Sequence, residues 1–189
     1  MTRTGAELFV DVAETYGVTH LFGNPGTTEL PVMEALSDSD LDYVLGLHED
    51  VAVGMAAGYA KTRGYQDDDS LPVGLVNLHV APGLAHGLGN MFNSSLIGTG
   101  APLVVTAGNH PQEHQLREPN LGADLVEMAD QFTKWSAEVP SADALPALLR
   151  RAFRVAMTPP TGPVFLSMPI DTMLAETDAT PERLGSISV

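Results

Sequence analysis

The sequence contains no cysteine, so disulfides and thiolate–metal sites are excluded. It is nearly as poor in lysine: Lys61 and Lys134 are the only two, and acidic residues outnumber Lys plus Arg by 24 to 9. Without a basic footprint, nucleic-acid binding is disfavoured. Long apolar runs are missing too; none approaches the ~20 residues that cross a bilayer. The first residues, Met1 to Glu7, lack the hydrophobic segment of a signal peptide. There is no internal repeat and no low-complexity segment. These absences lead to the expectation of a cytoplasmic protein with neither a membrane nor a nucleic-acid partner.

What is present is a chain of 189 residues, 44% hydrophobic, long enough to bury a real core in one domain. Its net charge of −15 sits on an otherwise ordinary globular composition. Such a lysine-poor acidic surface suits a high-salt, halophilic cytoplasm, where screening removes the self-repulsion.

Apolar spacing predicts a helix over 4–16 that stops at Gly17, then a strand over 19–22. A helix over 29–36, capped by Thr27 or Thr28, precedes a strand over 43–45 and a small-residue helix over 51–63. An acidic loop at 66–70 leads to a strand over 72–78, a helix over 84–95 and a strand over 102–106. Residues 111–123 read as a long loop, 125–132 as a helical turn or two, and 134–139 as a strand. An amphipathic helix over 143–157 and a strand over 163–168 follow. Strands alternating with helices at this spacing imply an α/β fold: a doubly wound, mostly parallel sheet with helices on both faces. Residues 1–170 are read as one domain, and the acidic, aperiodic stretch 171–189 as a linker or tail.

Three polar clusters lie where strands end and helices begin: Gly23-Asn24-Pro25-Gly26-Thr27-Thr28, His48-Glu49, and Asn77-Leu78-His79 before Pro82-Gly83. In such a sheet the crevice outside the carboxyl ends of the strands binds ligands. Each cluster alone has a structural explanation: a tight turn, an acid at a helix N-terminus, a histidine at a strand end. The first lacks the spacing of a Walker or dinucleotide loop. His48, His86, His110 and His114 match no zinc spacing, so no metal ligand is expected. Together the clusters predict a pocket that offers a carboxyl, an imidazole and a hydroxyl.

The segment Phe22 to Pro31 resembles the first loop of thiamine-diphosphate-dependent decarboxylases. His48-Glu49 followed by Gly54 to Ala60, Asn77-Leu78-His79 with Pro82-Gly83, Pro102 to Gly108 and Gly162 to Pro169 resemble their later segments, in register from Thr4 to Asp171. Asn-Pro-Gly and Asn-Leu-His look nearest to benzoylformate decarboxylase; acetolactate synthases share the Glu and Pro-Gly features but usually have no His at the position of His79. The resemblance implies the pyrimidine-binding domain of an enzyme that decarboxylates or ligates 2-keto acids. It assigns Glu49 to N1′ of the cofactor pyrimidine, His79 to acid/base work at the substrate carbonyl, and Thr27 to the substrate carboxylate. Pro25, Gly26 and His86 would line the pyrimidine. His86 departs from the family's usual Asn, and Thr27 from the Ser of benzoylformate decarboxylases. The resemblance further implies Mg²⁺ and diphosphate held by a separate domain of a partner subunit, in a homodimer or homotetramer. The Gly-Asp-Gly motif of that domain does not occur in the chain, which is expected to be incomplete alone. A non-catalytic binding or assembly domain that keeps the fold is the alternative.

Overall fold

The computed structural model describes residues 2–65, 71–95 and 97–181. Its first elements are β1 (Arg3–Thr4), α1 (Gly5–Thr15), β2 (His20–Gly23), a 3-10 turn (Thr27–Glu29), α2 (Leu30–Ala35) and β3 (Asp42–Leu45). Then come α3 (Glu49–Arg63), β4 (Gly74–His79), α4 (Val80–Ser94), β5 (Leu103–Asn109), α5 (Gln112–Gln115) and α6 (Leu125–Asp130). The chain continues through β6 (Ser136–Glu138), α7 (Leu145–Met157), β7 (Val164–Pro169), α8 (Ile170–Leu174) and β8 (Glu176–Thr177).

Strand β2 pairs in parallel with β3 on one side and β4 on the other, and the six-stranded sheet runs β3-β2-β4-β5-β7-β6. All of its pairings are parallel. Alternation along the strands sends neighbouring residues to opposite faces. Leu21, Leu75, Val104 and Leu166 join one core with Leu8 and Phe9 of α1 and Phe153 of α7. Phe22, Val76, Val105 and Phe165 join the other with Val53 of α3, Leu84 and Met91 of α4, and Leu125 of α6. The result is the expected doubly wound α/β sheet with helices on both faces.

The boundaries differ from the sequence reading in informative places. Helix α3 begins at Glu49 because the His48 side chain accepts the Asp50 N–H (3.2 Å) and caps it. Helix α4 begins four residues early, at Val80, since Pro82 falls in its first turn, where a missing N–H costs nothing. The 111–123 loop contains the single turn α5. The acidic loop 66–70 lies outside the described residues.

The stretch read as a tail starts inside the folded body. Helix α8 buries Thr172 and Met173, and β8 pairs antiparallel with β1, setting Arg3 opposite Thr177. Three buried residues, Thr172, Met173 and Thr177, and two paired ones are too short a signal for periodicity to register. Residues 182–189 lie outside the described set.

Candidate functional site

The sheet order reverses between β2 and β4, since the chain leaves β2 toward β3 and then crosses to the other side. That switch point opens a crevice at the carboxyl ends of the two strands. Strand β2 exits through Gly23, where a Cβ would lie 2.3 Å from the Asn77 carbonyl oxygen, so only glycine lets the loop leave along β4.

The 3-10 turn then carries Glu29 inward, with its carboxylate under the crevice. Glu29 is 1% exposed. It accepts the Gly26 N–H (2.8 Å) and the Thr28 hydroxyl (2.6 Å), and its Oε2 lies 2.8 Å from His79 Nδ1. An ionised carboxylate can only accept. His79 therefore donates through Nδ1, and Nε2 is left as the acceptor of the ring. Two glycines make room for this pair: a Cβ at Gly26 would fall 2.3 Å from His79 Nδ1, and one at Gly108 would fall 1.9 Å from Glu29 Oε1. The backbone kinks immediately after the ring. Val80, a β-branched residue, holds φ at +38°, a conformation that costs energy and persists only where the surroundings impose it.

Tyr43 on β3 completes this floor. Its buried hydroxyl has no partner among the described residues, and burial, together with the nearby Glu29 charge, pushes its pKa up. On the other side of the floor, Asn77 donates to Thr106 Oγ1 (2.9 Å).

Glu49, the first residue of α3, is 8% exposed. Its Oε2 accepts His86 Nδ1 (3.0 Å), and the His86 ring stacks on His48 with centroids 4.8 Å apart. Glu49 and His79 meet around Gly83. A Cβ there would lie 3.1 Å from Glu49 Oε1 and 3.3 Å from the His79 Cβ, so glycine at this position lets α4 pack closely against both residues.

The structure thus brings Glu49, His79, His86 and Gly26 together, with Pro25 in the same loop. Thr27 is exposed on the rim, whereas Thr28, the neighbouring hydroxyl, is buried and lies 3.1 Å from His79 Nδ1. Glu29 was missed in the sequence reading. Its only sequence signal is the run Thr28-Glu29 directly after the Gly-rich turn, which also reads as an ordinary helix start. The histidine spacing likewise gave no sign of what the fold does with His48, Glu49 and His86, whose ligand atoms all lie within 4.8 Å of one another. A separate cavity of about 480 Å³ opens at the carboxyl ends of β5 and β6, lined by Asn109, His110, Gln115, Leu125 and Glu138 among others.

Two carboxylates and two imidazoles in one crevice suit a protonatable heteroaromatic ring, which can trade a proton with Glu49. They do not suit a diphosphate, which the carboxylates would repel.

Residues 3–133 match the family described as thiamine pyrophosphate enzyme, N-terminal TPP binding domain. The chain belongs to that family. It is 35% identical over 180 residues to benzoylformate decarboxylase of Pseudomonas aeruginosa, covering 95% of this chain and 32% of that protein. It is 34% identical to the mitochondrial acetolactate synthase catalytic subunit of Aspergillus candidus, covering 99% of this chain and 27% of that one. Among solved structures it superposes on the thiamine diphosphate-dependent 4-hydroxybenzoylformate decarboxylase of Rhodococcus jostii with a TM-score of 0.82 at 35% identity, covering 95% of this chain and 32% of that one. The benzoylformate decarboxylase of Polynucleobacter necessarius gives a TM-score of 0.86 at 31% identity, covering 98% and 33%. The chain spans about a third of the length of these relatives, and what it contains is their N-terminal cofactor-binding domain.

Proposed function

We propose that the chain supplies the pyrimidine side of the active site of a thiamine-diphosphate-dependent enzyme that decarboxylates or ligates 2-keto acids, in the manner of benzoylformate decarboxylase. The observation that carries this reading is the convergence on Gly83, whose bare Cα is flanked by the Glu49 carboxylate and the base of the His79 side chain. Thiamine diphosphate, when bound, supplies an electron sink for breaking the bond between a carbonyl carbon and its carboxylate. Glu49 would hold and move a proton at the pyrimidine N1′, with His86 steadying its carboxylate through Nδ1. His79 would exchange a proton with the substrate carbonyl oxygen through Nε2, in the tautomer that Glu29 sets. The exposed hydroxyl of Thr27 would donate to the substrate carboxylate, while Pro25 and Gly26 would border the pyrimidine.

Diphosphate and Mg²⁺ need donors that this acidic crevice does not offer. We assign them to another domain, contributed by a partner subunit of a homodimer or homotetramer. A cytoplasmic, high-salt setting fits the charge of −15.

Two measurements test the reading. Calorimetry of the 189-residue chain with thiamine diphosphate and Mg²⁺ should show weak binding or none; micromolar affinity would mean that the site is complete here. In the chain rejoined to the missing domains, Glu49→Ala should lower kcat by about a hundredfold or more. Activity within tenfold of wild type would remove Glu49 from its role.

A further inference from the structure

The side chains around Glu49 form a second kind of site. His48, Glu49 and His86 each present one ligand atom, and these atoms lie within 4.8 Å of one another. Both histidines are exposed, and their rings stack at 4.8 Å with an interplanar angle of 29°. The carboxylate is anchored on the first residue of α3 and already meets His86 Nδ1 at 3.0 Å.

We propose that His48, Glu49 and His86 bind a borderline divalent cation, Zn²⁺ above all, and that this binding competes with the aminopyrimidine for Glu49. Two imidazoles and one carboxylate match zinc and its neighbours rather than Mg²⁺ or Ca²⁺, which take oxygen ligands. Three protein ligands leave a fourth position for water. A tetrahedral ion holds such ligands about 3.4 Å apart, given metal–ligand bonds of ~2.1 Å. The approach from 4.8 Å falls to the two exposed rings, which must turn out of their stack, while the buried carboxylate stays in place.

The proton balance is simple. His86 releases Glu49 and carries its proton on the ring nitrogen that does not bind the metal. His48 must give up its cap of α3. If Nδ1 binds, its lone pair is taken; if Nε2 binds, Nδ1 carries the proton. Either way the Asp50 N–H loses its acceptor. Asp50 does not join the set, because its carboxylate is held by the Asn90 N–H (2.8 Å) and side-chain amide (3.0 Å). The net charge of −15 raises the local concentration of any cation.

The site itself stands on these three side chains. Only its consequence, exclusion of the pyrimidine, rests on the function proposed above. Titration of the 189-residue chain with ZnCl₂, followed by calorimetry and ¹H–¹⁵N NMR, should show one equivalent bound, with the His48 and His86 ring signals and the Asp50 amide shifting together. His86→Asn, His48→Gln and Glu49→Gln should each weaken binding roughly tenfold or more, with the fold checked by circular dichroism. MgCl₂ should shift none of these signals. A His110→Asn/His114→Gln double variant should bind as wild type. Absence of binding, or loss in the double variant with retention in His86→Asn, would overturn the site. In the rejoined enzyme, Zn²⁺ should raise the apparent Kd for thiamine diphosphate. If zinc binds as described yet leaves that Kd unchanged, the site stands, and its consequence falls together with the assignment of Glu49 to the pyrimidine.

Discussion

The crevice holds two carboxylate–imidazole pairs of similar geometry and opposite character. In Glu29–His79 the carboxylate side chain is 0% exposed and the ring 26%. In Glu49–His86 the corresponding values are 10% and 53%. The inner carboxylate accepts from three donors and sits in space cleared by Gly108. The outer one is met by His86 and lies against Gly83. The inner pair is therefore built to hold the His79 ring in one orientation, and the outer pair to exchange partners. Burial separates the two roles: a buried, fully satisfied network resists change, because leaving any member unpaired is costly.

The sharpest way to break the comparison is Gly108→Ala. Its Cβ would overlap Glu29 Oε1, so the inner pair must move. We expect a loss of about 3 kcal/mol in chemical denaturation, whereas a loss below about 0.5 kcal/mol would mean that the Glu29 pocket is slack.

Next in size is the matched pair Glu29→Gln and Glu49→Gln. The first leaves buried donors facing an amide and should lower stability by about 1–3 kcal/mol. The second loses an acid in the first turn of α3 and should cost no more than about 1 kcal/mol. Glu29→Gln should also weaken the Nδ1–H tautomer of His79 in ¹⁵N spectra, with the His86 ring unaffected. Equal stability losses in the two variants would erase the distinction between the pairs.

Tyr43 gives a pH-dependent version of the same contrast. Its pKa is raised in the fold by burial and by Glu29. Above the ordinary tyrosine pKa of about 10, the unfolded chain sheds the phenol proton and the native chain keeps it, so stability falls as pH rises. The contribution is fully present below that pH. Tyr43→Phe should flatten this alkaline slope, and an unchanged slope would clear Tyr43 of the effect.

The smallest and most diffuse effect comes from the surface. With a net charge of −15, the melting temperature should rise between low and molar KCl as repulsion is screened. A flat or falling melting temperature would count against the high-salt reading.

Much of the frame was legible in the sequence. Leu21 and Phe22, or Val104 and Val105, are apolar neighbours that must face opposite ways in a strand, so strands buried on both faces were readable as such. The junctions at Gly23, His48 and His79 were readable because turn residues and caps act over a few positions. Segment 171–177 was not, since two paired residues in β8 carry no period.

What the sequence determined by itself, then, was the order of strands and helices and the polar chemistry placed at each strand end, because those follow from local spacing. The pairings were decided only by the tertiary structure. Glu29 reaches His79 across 50 positions and Glu49 reaches His86 across 37, and neither contact exists until β2 lies between β3 and β4. The choice of Thr28 over Thr27 as the hydroxyl beside the imidazole depends on a one-residue rotation in a 3-10 turn. Such a rotation is set by the room that Gly26 and Gly108 leave for Glu29 and His79, which is a matter of close packing between distant segments rather than of any local propensity.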